Sequence, residues 1–198
     1  PMHALVAHSG GPTPVINASL AGIVEEARRQ PQITQLYGAK FGIEGMLSGD
    51  FVGLFAEDAG TLAGVARTSA SALGSSRRAV TDADLERVLA VCRAREIRAL
   101  FYTGGNATMG TALQLAKAAQ SAGQELLVVG VPKTIDNDLA VTDHSPGFPS
   151  AARFFASAAR DLGADNRALP GLVQVLEVLG RHAGWLTAST TLARAEPD

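Results

Sequence analysis

A chain of 198 residues is long enough for one domain with a substantial core, and 46% hydrophobic against 18% charged residues is ordinary for a globular protein. A net charge of −2 gives no electrostatic footprint for nucleic acid, and a single cysteine, Cys92, excludes an internal disulfide framework. No apolar run approaches the roughly 20 residues of a membrane span and no signal peptide precedes the first strand, so a cytoplasmic protein without a membrane partner is expected.

His3 to Ala7 reads as a short β-strand that runs into Ser9-Gly10-Gly11-Pro12-Thr13-Pro14-Val15-Ile16-Asn17. Behind the glycines, Val15, Ile16, Leu20, Ile23, Val24 and Ala27 recur at helical spacing. A strand, a glycine turn and a helix N-terminus make an anion site, because unpaired N–H groups and the helix dipole point at the same place. Many such turns hold no ligand, so Gly10 and Gly11 are candidates and no more on this ground. Ile33 to Lys40 predicts a second strand, Phe41 to Gly45 a glycine-rich loop, and Phe51 to Ala66 a strand, a loop and a weak helix.

Ser71-Ala-Leu-Gly-Ser-Ser-Arg-Arg78 combines small residues with arginine, which suits a guanidinium held over an oxyanion. Taken alone, a flexible loop with two solvated arginines is the simpler reading. Thr81 to Asp84 has the form of a capping box opening a helix, with Leu85, Val88, Leu89 and Cys92 on one face and the thiol buried and inert. Ile97 to Thr103 predicts a strand, and Gly104-Gly105-Asn106-Ala107 leads from it into a helix carrying Leu113, Ala116, Lys117 and Gln120. This repeats the first strand–glycine–helix unit. Two such loops on neighbouring parallel strands would pinch a diphosphate.

The hydrophobic run Leu126 to Val129 predicts a buried strand of a parallel sheet, and Pro132 ends it. Lys133, Thr134, Asp136 and Asp138 follow, at the sheet edge where open α/β sheets bind ligands. Lys133 is suited to holding a phosphate and Asp136 to deprotonating a hydroxyl. An isolated Asp-Asn-Asp triplet is more often a turn whose side chains bond their own backbone. Beyond it, His144 is expected to hydrogen-bond locally in a loop. A helix follows with Ala151, Phe154, Phe155, Ala158 and Leu162, then a buried strand from Val173 to Leu179 that ends in Gly180-Arg181.

The run Pro132-Lys-Thr-Ile-Asp-Asn-Asp138 closely resembles the catalytic loop of the phosphofructokinases, in their pyrophosphate-dependent branch. Ser9 to Asn17, Ser75-Ser-Arg77, Thr142 to Phe148 and Gly180-Arg-His-Ala-Gly-Trp185 resemble further blocks of the same family. The resemblance implies a doubly wound α/β fold with a mostly parallel sheet and helices on both faces. It implies transfer of phosphate from pyrophosphate to the 1-hydroxyl of fructose 6-phosphate, reversibly, in glycolysis, with Mg2+ as cofactor. Asp136 would be the general base, with Lys133 meeting the phosphoryl donor. Gly10, Gly11, Arg77, Gly104, Gly105, Asn106 and Ala107 would bind that donor. Thr134, Ile135, Asp138, Leu179, Gly180 and Arg181 would bind the sugar phosphate. The partners implied are these two substrates and further copies of the chain, as a dimer or tetramer.

Two departures qualify this. The family places a carboxylate, which helps hold magnesium, at Asn106 or Ala107, and in pyrophosphate users the second acid also blocks ATP. Here neither acid is present, so Asn106 is a doubtful metal ligand and Ala107 leaves space for a nucleotide. Gly171-Leu172 stands where a basic residue is often found. An ATP-dependent phosphofructokinase and a non-catalytic regulatory paralogue therefore remain as alternatives, whereas a dinucleotide-binding module is disfavoured because no G-x-G-x-x-G follows the first strand. Because family members are longer, residues 1–198, ending at Arg194 to Asp198, are expected to form the N-terminal α/β portion of such an enzyme.

Overall fold

The computed structural model describes residues 1–193 and divides the chain into two compact units, Pro1–Lys133 and Thr134–Asp198. Arg194 to Asp198, the last part of the expected 1–198 portion, lie outside the described residues.

The first unit is an α/β sandwich around a sheet whose strands are β1 (Met2–His8), β2 (Ile33–Ala39), β3 (Phe51–Gly53), β4 (Ile97–Gly104) and β5 (Leu127–Pro132). Their order is β3-β2-β1-β4-β5. The β1·β2, β1·β4 and β4·β5 pairs are parallel, and only β3 runs antiparallel to its neighbour β2. Strand alternation splits β1 between two cores. Ala4 and Val6 pack under Leu20, Val24 and Ala27 of α1 (Pro14–Arg29). On the opposite face, Leu5 and Ala7 pack against α2 (Ile43–Ser48), α4 (Asp82–Ala94) and α5 (Asn106–Ser121). A helix α3 (Ala59–Ala66) joins the α1 side. Helices thus cover both faces of a mostly parallel sheet, the doubly wound arrangement expected from the sequence.

Local chemistry explains most of the element boundaries. Pro14 sits in the first turn of α1, where a missing N–H costs nothing. The Thr81 hydroxyl accepts from Asp84 N while the Asp84 carboxylate accepts from Thr81 N, closing the expected capping box of α4, a device worth about 1 kcal/mol. Leu85, Val88, Leu89 and Cys92 are all buried beneath it, and burial pushes the Cys92 thiol up to about 12.

Several expectations are corrected. The glycine-rich stretch from Phe41 is a helix start: Gly42 takes φ 61 and α2 begins at the next residue. The helix α5 forms where expected, with Thr108, Ala112, Leu115 and Ala119 on its buried face and Leu113 exposed. The strand after Leu126 is an edge strand of the sheet and not a buried one, so Leu127 is 62% exposed and Pro132 is tolerated. Finally, Val173 to Leu179 forms neither a strand nor a buried segment, with Val173 and Val175 89% and 90% exposed. Period-2 hydrophobicity makes a strand only where a neighbour takes its N–H and C=O groups, and no described residue does so here.

In the second unit, α6 (Phe148–Ala168) and α7 (Trp185–Ser189) share a small core of Phe148, Ala152 and Leu186 with Ile135, Phe155 and Val178 against it. Phe154, within the expected helix, is 67% exposed. No helix among the described residues is long and apolar enough to cross a membrane.

Candidate active site

In the first unit, the chain passes from β1 to β2 on one side of the sheet, while β4 lies on the other side of β1. At such a reversal the loops leaving adjacent carboxyl ends diverge, and the crevice between them is where open α/β sheets bind ligands. Ser9-Gly10-Gly11 and Gly104-Gly105 leave the sheet at this point. Ser9 N donates to Thr103 O at 2.8 Å, extending the ladder by one step, and Gly10 then turns with φ 81, a left-handed value suited to glycine. A Cβ on Gly104 would collide with the Thr108 hydroxyl and with Ser9 O, so a side chain there would wedge the two loops apart. α1 and α5 start just beyond, and neither Thr13 nor Gly105 caps its helix with a side chain. The N-termini of both helices therefore turn the positive ends of their dipoles toward the loops.

The stretch from Ser71 to Arg78 forms a third wall. Gly10 N donates to Ser76 O at 3.0 Å, Ser75 Oγ donates to Gly10 O at 2.7 Å, and Ser9 pairs with Ser76 in an isolated bridge. The two arginines separate as the sequence suggested. Arg78 is spent on Glu44 at 3.0 Å and Asp84 at 2.8 Å. Arg77 forms no salt bridge with any described residue, and a Cβ on Gly11 would stand 3.0 Å from its Nη2. On the other side, Lys133 N donates to Gly104 O at 2.8 Å and its side chain turns back, so that a Cβ on Gly10 would stand 3.6 Å from Nζ. Lys133 is 8% exposed. Two cations therefore flank one glycine turn, a geometry made for a polyanion.

Magnesium is poorly provided for. Among the described residues no group of three or more His, Cys, Asp or Glu could hold a metal ion, and Asn106 at the start of α5 offers an amide where a hard cation prefers carboxylate. The described residues therefore form no all-protein cage for magnesium.

Among the described residues, three buried side-chain atoms lack a partner: His8 Nε2, Thr13 Oγ1 and Thr103 Oγ1. His8 and Thr103 are register partners at the ends of β1 and β4, so the unsatisfied polarity collects beneath the glycine loops. Burial pushes the His8 imidazole down from 6.5 to about 4. Above pH 6.5 it is neutral whether the chain is folded or unfolded. As pH falls below 6.5 the unfolded chain takes up a proton that the folded one refuses, so stability drops until about pH 4, by about 3 kcal/mol in all. Denaturant titrations at pH 7 and pH 4.5 should show the parent losing markedly more stability than His8→Asn, whose amide does not titrate. Equal losses would mean that another group carries the acid sensitivity.

In the second unit, Thr134, Asp136 and Asp138 meet in one braced turn. Thr134 Oγ1 donates to Asp138 Oδ1 at 2.9 Å and accepts from Asp136 N at 3.1 Å. Asn137, at φ 56, accepts from Ser145 N at 2.7 Å and donates to Asp143 O at 3.1 Å. Asn137 thus ties the turn to backbone six and eight residues on, and does not close an Asx turn on its own neighbours. The half-buried Asp136 carboxylate, by contrast, takes no hydrogen bond from a described residue. A braced turn that leaves one carboxylate uncommitted is suited to accepting a proton. Ile135 packs against the Phe148 core, while Leu179, Gly180 and Arg181 lie on the exposed stretch that leads into α7. His144 stacks on Phe148 at 6.1 Å rather than hydrogen-bonding.

No motif in the sequence assigns a role to His8, Asn17 or Ser71 individually. The signal for the first two was polarity on a buried face: a histidine closing an apolar strand and an asparagine among the inward residues of α1.

Two glycine loops and two cations thus meet at the topological switch point of a doubly wound sheet. The chain belongs to the family described as Phosphofructokinase, which it matches over residues 3–197. It is 44% identical over 194 residues to the pyrophosphate–fructose 6-phosphate 1-phosphotransferase of Rhodospirillum rubrum, covering 98% of this chain and 48% of that protein. It is 31% identical to an ATP-dependent 6-phosphofructokinase of Amycolatopsis methanolica, covering 96% of this chain and 40% of that one. The crystal structure of a pyrophosphate-dependent phosphofructokinase from Nitrosospira multiformis superposes with a TM-score of 0.89 at 36% identity, covering 98% of this chain and 50% of that one. The chain thus spans about half the length of these relatives or less.

Proposed function

We propose that the protein to which this chain belongs transfers a phosphoryl group from pyrophosphate to the 1-hydroxyl of fructose 6-phosphate, giving phosphate and fructose 1,6-bisphosphate. The observation that carries this is the pair of cations, Lys133 and Arg77, against the Gly10-Gly11 turn. In this reading the two glycine loops and the N-termini of α1 and α5 hold the pyrophosphate. Lys133 and Arg77 neutralise the charge that develops as the bond to the bridging oxygen breaks, the dominant contribution in phosphoryl transfer. Asp136 takes the proton as the hydroxyl oxygen bonds to phosphorus. Thr134 and Asp138 hold the turn that aims Asp136, and Gly180 and Arg181 meet the sugar phosphate. Magnesium arrives on the pyrophosphate oxygens as part of the substrate. A cytoplasmic enzyme of glycolysis, assembled from two or four copies, completes the proposal.

The ATP alternative rests on Ala107, which removes a barrier to a nucleotide. A missing barrier only permits a substrate, whereas a placed cation improves a transition state, and rate follows the latter. Steady-state assays of the full-length protein with each donor should give the higher kcat/KM for pyrophosphate. A preference for ATP would reverse the assignment. Turnover with neither at saturating magnesium would identify the non-catalytic paralogue.

A further inference from the structure

We propose that His8 is a positioning residue for Arg77, acting through Ser71, and that its Nδ1 rather than its Nε2 carries the proton; the inference rests on the pyrophosphate reading given above. His8 is fully buried, with Nδ1 2.7 Å from Ser71 Oγ. Ser71 Oγ in turn lies 2.6 Å from Gly74 O. A carbonyl has no proton to give, so the single hydroxyl proton of Ser71 must point at Gly74 O. Ser71 Oγ can then only accept from His8, which places the imidazole proton on Nδ1 and leaves Nε2 as a bare acceptor. This agrees with Nε2 being a buried atom with no partner among the described residues. The result is a directed relay, His8 Nδ1–H to Ser71 Oγ–H to Gly74 O.

The relay fastens the turn that delivers Arg77. Gly74 N donates to Ser71 O at 3.0 Å, and the two following residues are the ones tied to Ser9 and Gly10. From the opposite side, Asn17 Oδ1 accepts from Ala72 N at 2.8 Å. Arg77 has no salt bridge with a described residue to fix its guanidinium, so its aim depends on the backbone that carries it. A histidine with an unsatisfied buried nitrogen is a poor choice for packing alone, and the relay accounts for it.

The test compares parent, His8→Ala, His8→Asn, His8→Gln and Ser71→Ala in the full-length protein. The Asn side-chain nitrogen can replace Nδ1–H, whereas the Gln nitrogen reaches toward Nε2. Calorimetry with magnesium pyrophosphate should show His8→Ala and Ser71→Ala weakening affinity on the order of tenfold, the scale of one lost hydrogen bond. The KM for fructose 6-phosphate should stay within twofold, His8→Asn should restore donor affinity, and His8→Gln should not. Nitrogen-15 NMR of labelled histidine should give the Nδ1-protonated pattern for His8. An Nε2-protonated His8, rescue by Gln instead of Asn, unchanged donor affinity in His8→Ala, or equal damage to both substrates would each overturn the proposal. Should His8→Ala not fold, the Asn–Gln pair and Ser71→Ala decide the matter. A parent that binds pyrophosphate without turnover refutes the reaction but leaves the affinities to decide this inference. A parent that binds none refutes both.

Discussion

Replacing Asp136 by Asn in the full-length protein should leave sugar-phosphate binding nearly intact and lower kcat by about 10²–10⁴-fold, the range for loss of a general base. The substitution keeps the shape of the side chain and removes only its basicity. The turn itself should survive, since its bracing runs through Thr134, Asp138, Asn137 and Ser145 and uses Asp136 only by its backbone N–H. Asp138→Asn provides the contrast: it weakens a bracing hydrogen bond from Thr134 and should disturb binding and turnover together. Single-turnover rates with equilibrium binding of fructose 6-phosphate separate the two. An Asp136→Asn protein within threefold of the parent would remove the base from this position.

Lys133→Gly should lower kcat/KM for pyrophosphate by about 10²–10³-fold, the usual cost of deleting one preorganised charge or donor at a developing oxyanion. The backbone bond from position 133 to Gly104 O persists in the variant, so the loss reports on the ammonium and not on the loop. Any ATP activity should be far less affected, and Ala107→Asp should suppress it by returning a negative charge to the first turn of α5. A Lys133→Gly enzyme that lost both donors equally would mean that the lysine serves the fold, which its burial makes a fair rival.

Much of this could be read from the chain because its signals are local. A strand followed by Gly-Gly and an apolar helix needs no distant residue to be recognised, and β1–α1 and β4–α5 formed where expected. The Thr81 capping box is likewise complete within four residues. What escaped depended on partners. Val173 to Leu179 alternates like a strand, yet alternation specifies a face and not a neighbour. Leu126 to Val129 has the composition of a central strand, but the strand order puts it at the end. At the site, the split between Arg77 and Arg78 was legible only through family resemblance. The physical reason for it, Glu44 and Asp84 claiming Arg78, is a three-way contact across the fold. His8 and Ser71 are 63 residues apart, and no sequence pattern joins them.

The central strand pair has a consequence for how the protein comes into being. β1 pairs with β4 in a register that starts at His3 and Ile97, so the two glycine loops meet only after a long intervening chain has been made. Closing so large a loop costs entropy before any contact repays it, which makes this pairing a late and slow step. A nascent chain that has finished β1, α1 and β2 holds one of the two glycine loops. Once β4 docks, any polyanion that fits the completed cradle adds to the stability of the folded state by mass action, about 2.7 kcal/mol at a hundred times its dissociation constant. The phosphoryl donor would then act as a folding ligand as well as a substrate. The cell's supply of it would set both how fast the enzyme works and how much of it survives.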